Sequence, residues 1–175
     1  MTQDQNIPDF SHIDHCVFDL DNTLYHPSAN LFGQIEVKMT EYVMSALKVT
    51  EAEADHLRGH YWRTHGTTLA GLMREHGVDP DPYLVDVHDV DMSHMTPDPE
   101  LATLIKTLPG RKIVYTNGSA PYAERVLEAR GLSGLFDGIF GVEHAEYRPK
   151  PERAAFDTVF GKAGLDQEHQ ERIID

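Results

Sequence analysis

The sequence predicts an α/β fold, a parallel-sheet core interrupted by an inserted, all-helical cap. Three observations carry that expectation. A short apolar run, Cys16-Val17-Phe18, stops abruptly at two carboxylates, Asp19 and Asp21, as a buried strand does at its end. After Tyr25 the apolar spacing turns helical and stays so up to Pro109-Gly110. From there short strands and helices alternate, which implies a parallel sheet. The helical block then falls between the first two strands, as a lid over their ends. This divides the chain into a core of residues 11–26 and 97–175, a cap of residues 27–96 and a polar tail of residues 1–10.

Each element has a local cause. Leu31 to Leu47 sets Ile35, Met39, Tyr42, Val43, Ala46 and Leu47 on one helical face. Thr50-Glu51-Ala52-Glu53 has the form of a capping box and opens a helix reaching about His65. Thr67 to His76 reads as a third helix closed by Gly77, and Asp81 to Val90 as a fourth behind Pro80 and Pro82. Asp98 is placed to cap a helix over Glu100 to Leu108, with Pro99 at its first position. Lys112 to Thr116 is a strand and Pro121 to Arg130 a helix closed by Gly131. Another short strand falls within Leu135 to Phe140, and Glu152 to Ala163 is a helix ended by Gly164. Arg148-Pro149-Lys150-Pro151 is a rigid turn. Glu171 to Asp175 begins one more strand.

Composition narrows the function. A chain of 175 residues with 40% hydrophobic content suits one domain, or one with an inserted subdomain. The net charge of −14 argues against nucleic acid or an anionic membrane as partner. An anionic substrate therefore needs local cationic groups. The single cysteine, Cys16, fits a reducing compartment and a structural thiol. No run resembles a signal peptide or membrane span, so a cytoplasmic location is expected.

The chemistry starts at Asp19 and Asp21. Side chains two apart on a strand point to one side, and in open α/β sheets ligands bind at the carboxyl ends of strands. Adjacent like charges repel unless a cation lies between them or one is protonated. This suggests a Mg²⁺-assisted site in which one carboxylate attacks and the other shuttles a proton. A polar strand-end turn is the plain alternative. A calcium loop is excluded, because its sixth and twelfth positions, which call for Gly and Glu, are Leu24 and Asn30. Thr116 with Asn117-Gly118 offers a hydroxyl and backbone amides as a phosphate cradle, or else an ordinary turn with Ser119 as helix cap. Lys150, held between two prolines, is the candidate cation; its plain alternative is a solvated loop lysine.

Taken together, Phe18-Asp19-Leu20-Asp21-Asn22-Thr23, Tyr115-Thr116-Asn117-Gly118 and Pro149-Lys150-Pro151 resemble the haloacid dehalogenase superfamily of phosphohydrolases. The helical block resembles its C1-type cap. Asp21 to Tyr25 and His65 to Leu72 are similar to the pyrimidine 5′-nucleotidase-like subgroup. The resemblance implies a Rossmann-like parallel sheet and an aspartyl-phosphate mechanism. Asp19 would be the nucleophile. Asp21 would be the acid and then the base, its carbonyl binding Mg²⁺. Thr116 and the Asn117 and Gly118 amides would hold phosphate oxygens, and Lys150 would bridge phosphate and Asp19. The family's fourth motif is an acidic pair that completes the metal site after the next strand. Asp175 is the candidate for its first member, and the core is expected to be truncated there, leaving Mg²⁺ weakly held.

The eleven histidines yield one further candidate. His56 and His60 have zinc spacing but lack the intervening Glu of a protease helix, and they read as a surface pair. His65 and Arg63 are expected to face the active site from the lid, with Tyr61 and Trp62 as neighbours of which one belongs to the cap core. Serine-hydrolase and dinucleotide-binding motifs are absent. The expected activity is Mg²⁺-dependent hydrolysis of a nucleoside 5′-monophosphate, pyrimidine favoured. The alternatives are another small phosphate such as a sugar phosphate, or a non-catalytic chain that binds phosphate ligands or a partner. Oligomeric state is left open.

Overall fold

The computed structural model describes residues 10–165. Three parallel strands form its sheet in the order β1 (His15–Phe18), β2 (Arg111–Tyr115), β3 (Gly138–Phe140). Val17 pairs with Ile113 and Phe18 with Val114, while Tyr115 pairs with Phe140. The central strand β2 carries three consecutive buried residues, Ile113, Val114 and Tyr115. That continuous apolar run marks a parallel strand covered on both faces.

Alternate side chains of β2 enter different cores, as strand geometry requires. Val114 packs with α5 (Pro99–Thr107) through Ala102 and Ile105, and with α6 (Ala120–Ala129) through Ala123, Val126 and Leu127. Ile113 and Tyr115 pack instead with α7 (Arg153–Ala163) through Ala155, Val159 and Phe160. Helices on both faces of a parallel sheet make this an α/β fold, as expected.

Between β1 and α5 stand four α-helices, α1 (Leu31–Leu47), α2 (Glu51–His65), α3 (Thr68–His76) and α4 (Pro80–Val87). They share a core of their own, centred on Val43, Ala54, Tyr61, Leu72, Tyr83 and Val87. Helix α1 belongs to two cores at once. Its first turns place Leu31 and Ile35 with Leu20, Leu24 and Tyr25 beside the sheet, while Val43 lies among the cap helices. Val142, which follows β3, also joins the cap core.

Local chemistry sets most boundaries. Thr50 and Glu53 form the expected capping box at α2, and Asp98 caps α5 by accepting from the Leu101 amide at 2.9 Å. Thr67 is the cap of α3 rather than its first residue. The fourth helix ends at Val87, three residues early. Arg125 draws the His88 and Val90 carbonyls out of helical register with hydrogen bonds of 3.0 and 3.2 Å. The strand expected within 135–140 shortens to Gly138–Phe140, because Leu135 and Phe136 pack into the core and the Asp137 carboxylate caps the Lys112 amide. Short 3₁₀ turns at Pro27–Ala29 and Val142–Ala145 have no counterpart in the sequence reading. The tail residues 1–9 and the strand expected at 171–175 lie outside the described residues.

The cap core depends on one close approach. Tyr61, fully buried on α2, lies against Gly71 of α3 so closely that a Cβ there would run into its ring. Gly71→Ala is expected to destabilise the protein by about 1–3 kcal/mol, the usual cost of overpacking a filled core. Urea unfolding of the two proteins measures the difference.

Candidate active site

The site is built at the carboxyl end of β1. The Leu20 carbonyl accepts from the amides of Thr23 and Leu24 at 3.2 and 3.0 Å, so the chain turns at once. Asn22 takes the left-handed conformation at that turn, with φ of 60°, a role that suits its short polar side chain. The turn folds Thr23 back on Asp19, its hydroxyl donating to Oδ2 at 3.2 Å. It also brings the Tyr25 hydroxyl to Asp21 Oδ1 at 2.7 Å.

The two carboxylates live in different surroundings. Asp19 remains half exposed and pairs with Lys150, whose Nζ lies 2.6 Å from Oδ1. The same ammonium donates to the Tyr115 carbonyl at 2.8 Å, which fixes its direction. Asp21 is met instead by hydroxyls. Tyr25 and Tyr122 both donate to Oδ1 at 2.7 Å, and Thr116 donates to Oδ2 at 3.3 Å. Burial raises the Asp21 carboxyl above the ordinary range, with the Asp19 charge adding and the hydroxyl donors opposing. Burial and the Asp21 charge push both phenols up, so they stay protonated as donors.

Loops after β2 and β3 complete the floor. Thr116 is fully buried, and its hydroxyl accepts from the Gly118 amide at 2.9 Å while donating to Asp21. The Gly118 amide is therefore engaged and not free, a correction to the expected phosphate cradle. Asn117 uses its side chain to hold the lysine loop. Its Oδ1 accepts from the Lys150 amide at 2.7 Å and its Nδ2 donates to the Lys150 carbonyl at 3.3 Å. Ser119 caps α6, as the plain alternative has it. Thus Asp19, Asp21, Thr116, Asn117, Gly118 and Lys150 come together from three separate segments.

Above them lies a cavity of about 930 Å³, closed by residues of the cap. Arg58, Trp62 and Phe32 line it, with Tyr83 and His88 deeper. Arg63 and His65 are not among its lining residues, so the expectation that they face the strand ends is corrected. Residues 58 and 62 share a helical face, whereas 63 lies about 100° further round. His65 is instead engaged by Glu75, 2.7 Å from its Nε2. Of the aromatic neighbours, Tyr61 is the core residue and Trp62, largely exposed, is the lining one. The 55, 58, 59, 62, 66 spacing is the signal from which Arg58 and Trp62 are legible. His56 is exposed, and His60 lies 3.8 Å from Glu75, so the pair reads as surface.

Sequence comparison places the chain in a family. Residues 13–170 match the haloacid dehalogenase-like hydrolases. The chain belongs to that family. A curated relative is Phosphate metabolism protein 8 of Saccharomyces cerevisiae, 25% identical across 85% of this chain and 51% of its own length. The chain thus spans about half the length of the curated relative it matches. Among solved structures, the HAD-hydrolase YfnB of Bacillus subtilis, bound to magnesium, is 18% identical, with a TM-score of 0.47 over 85% of this chain and 72% of its own.

Haloacid dehalogenase-like hydrolases use Mg²⁺, and the donor set at β1 suits that ion. The Asp19 carboxylate and the Asp21 carbonyl are hard oxygen ligands, and Mg²⁺ is held by one or two carboxylates with retained waters and substrate phosphate. Among the described residues no cluster of three or more His, Cys, Asp or Glu forms a metal cage. Asp175, the expected further ligand, lies outside them. Again among the described residues, no helix is long and apolar enough to cross a membrane.

One lining residue has a pH consequence. Burial pushes His88 down to about 4, so the unfolded chain protonates first as pH falls. Stability linked to His88 is complete above about pH 6.5 and is lost progressively toward pH 4, on the order of 3 kcal/mol in all. Unfolding free energies measured across that window should fall more steeply for wild type than for His88→Gln. Parallel curves would show that His88 does not contribute.

Proposed function

We propose that the protein is a Mg²⁺-dependent phosphomonoesterase, acting on a nucleoside 5′-monophosphate through an aspartyl-phosphate. The observation that carries this reading is the contrast between two carboxylates on one strand end. Asp19 is open to the cavity and charge-paired with Lys150 at 2.6 Å. Asp21, beside it, is held by neutral donors with its carboxyl raised toward the protonated form. That is a nucleophile next to an acid.

In the first step an Asp19 oxygen bonds to phosphorus and the ester P–O bond breaks, while Asp21 gives its proton to the departing oxygen. In the second, water attacks the phosphoryl group and loses a proton to Asp21. The Asp19–phosphorus bond then breaks to release inorganic phosphate. Lys150 and Thr116 line the space where the phosphoryl oxygens would lie, and phosphoryl transfer depends largely on such positioning and charge neutralisation. Mg²⁺, held by Asp19 and the Asp21 carbonyl, would supply further positive charge to those oxygens. The yeast relative's name refers to phosphate metabolism, which agrees with a phosphate ester as substrate. A nucleoside is favoured by the cavity's size and by Trp62 at its wall, an aromatic platform for a base. The free thiol of Cys16 is consistent with a reducing, cytoplasmic setting.

Phosphate release from a panel of nucleotides and sugar phosphates, with Mg²⁺ and with EDTA, tests the reading. Turnover should appear with Mg²⁺ and vanish with EDTA; saturable binding without turnover would favour a phosphate-binding role. Asp19→Asn should retain the fold but fall below a few percent of wild-type turnover, a barrier rise above about 2 kcal/mol. Trp62→Ala should lower kcat/KM for nucleoside monophosphates by roughly 5- to 150-fold, the equivalent of losing about 1–3 kcal/mol of base stacking. A sugar phosphate should change less than about twofold, and Arg63→Ala or His65→Ala should leave the substrate ranking unaltered. Parallel losses on both substrates would assign Trp62 to the fold.

A further inference from the structure

Asp21 receives more hydrogen bonds than a carboxylate needs to be held in place, and they are unevenly shared. Two phenolic hydroxyls, Tyr25 and Tyr122, donate to the same oxygen, Oδ1, each at 2.7 Å. They lie 3.4 Å from one another, as two donors converging on one acceptor do. A carboxylate oxygen has about two lone-pair sites, so Oδ1 is filled. The other oxygen, Oδ2, has one longer contact, 3.3 Å from Thr116, on the side of the expected phosphate.

The tyrosines come from distant parts of the chain, and each is fixed. Tyr25 closes the turn after β1 and Tyr122 stands in the first turn of α6; both are buried in the core beside the sheet. The His88 ring stacks on that of Tyr122 at 4.4 Å and 12°. His88 is in turn held through Nδ1 to the Ser119 hydroxyl at 3.1 Å and through its carbonyl to Arg125. The Tyr122 hydroxyl therefore has little freedom to leave Oδ1.

We infer that Tyr25 and Tyr122 are positioning residues for proton transfer: by filling Oδ1 they leave Oδ2 as the oxygen of Asp21 that delivers the proton to the leaving group and takes one from water. The inference rests on the reading of Asp21 as the acid and base of a phosphomonoesterase. Without the two hydroxyls the carboxyl rotates about its Cβ–Cγ bond and presents either oxygen, in directions that miss the ester oxygen. The damage should fall on esters whose leaving group needs a proton and spare those whose leaving group departs as a stable anion.

The experiment compares wild type, Tyr25→Phe, Tyr122→Phe and the double variant, each as the full chain with Mg²⁺. The kcat/KM values for a nucleoside monophosphate and for nitrophenyl phosphate report the transfer to Asp19. For the nucleotide each single variant should lose about tenfold, part of the 10²–10⁴ that a positioned acid supplies, while nitrophenyl phosphate should change less than about twofold. Equal losses on both esters, or no loss on either, overturn the inference. Thermal unfolding accompanies each assay. If Tyr122→Phe fails to fold, Tyr25→Phe decides by the same criterion; if that also fails, the pair is structural and the inference is overturned. A wild-type chain that releases phosphate from neither ester fails the phosphomonoesterase reading itself, and this inference with it.

Discussion

Two carboxylates two residues apart at one strand end repel each other, and much of the site follows from how each is accommodated. One solution is a counter-charge, and Asp19 has it in Lys150. The other is withdrawal from water among neutral donors, and Asp21 has that in Tyr25, Tyr122 and Thr116. Burial raises the Asp21 carboxyl toward its protonated form, while Asp19 keeps a cationic partner. That separation is what lets adjacent carboxyls serve different chemical roles. It also explains why residues from the first turn, α6 and the loop after β2 all end at one strand tip.

Getting a lysine to Asp19 from 131 positions away in sequence requires its loop to be gripped. The grip is Asn117, whose amide side chain reads both the N–H and the carbonyl of Lys150. The lysine's own contact with the Tyr115 carbonyl then aims its ammonium back across the sheet end. Strand β2 thus organises the site twice, once through Thr116 and once through the neighbour that orients Lys150. The cap is tied to the same floor. Helix α1 packs into both cores, and His88 at the end of α4 stacks on a tyrosine that holds Asp21.

Much of this is written locally, and what is local was legible. The capping box at Thr50, the Asp98 cap and the strand running into Asp19 each depend on residues within a turn or two. The need for a cation followed from charge, and the prolines on either side of Lys150 made it the candidate. What escaped depends on contacts made after folding. Arg63 and His65 were reasonable lid residues by position, but the rotation of α2 turns Arg63 away while Glu75 holds His65, and Arg58 and Trp62 line the cavity instead. Nothing in the segments of Tyr25 and Tyr122 shows that they meet on one carboxylate oxygen. Gly118 looked like a free amide because the Thr116 hydroxyl that occupies it is two residues back, in a turn whose geometry periodicity does not give.

The charge within the cavity carries the argument one step further. Four carboxylates line it, Asp19, Asp21, Glu36 and Asp55, against two cations, Arg58 and Lys150. Arg58 is already committed to Asp55 at 3.3 Å and Glu36 at 3.5 Å, and Lys150 to Asp19. A phosphate dianion entering this space meets like charge, in a chain whose net charge is −14. Protonation of Asp21 removes one negative charge, and its raised carboxyl favours that state. The rest calls for added positive charge near the half-exposed side of Asp19, where hard oxygen donors are available. The physical case for a divalent cation in the proposed reaction therefore arises from this chain's own charges: without one, the carboxylates lining the cavity would repel the proposed phosphate substrate.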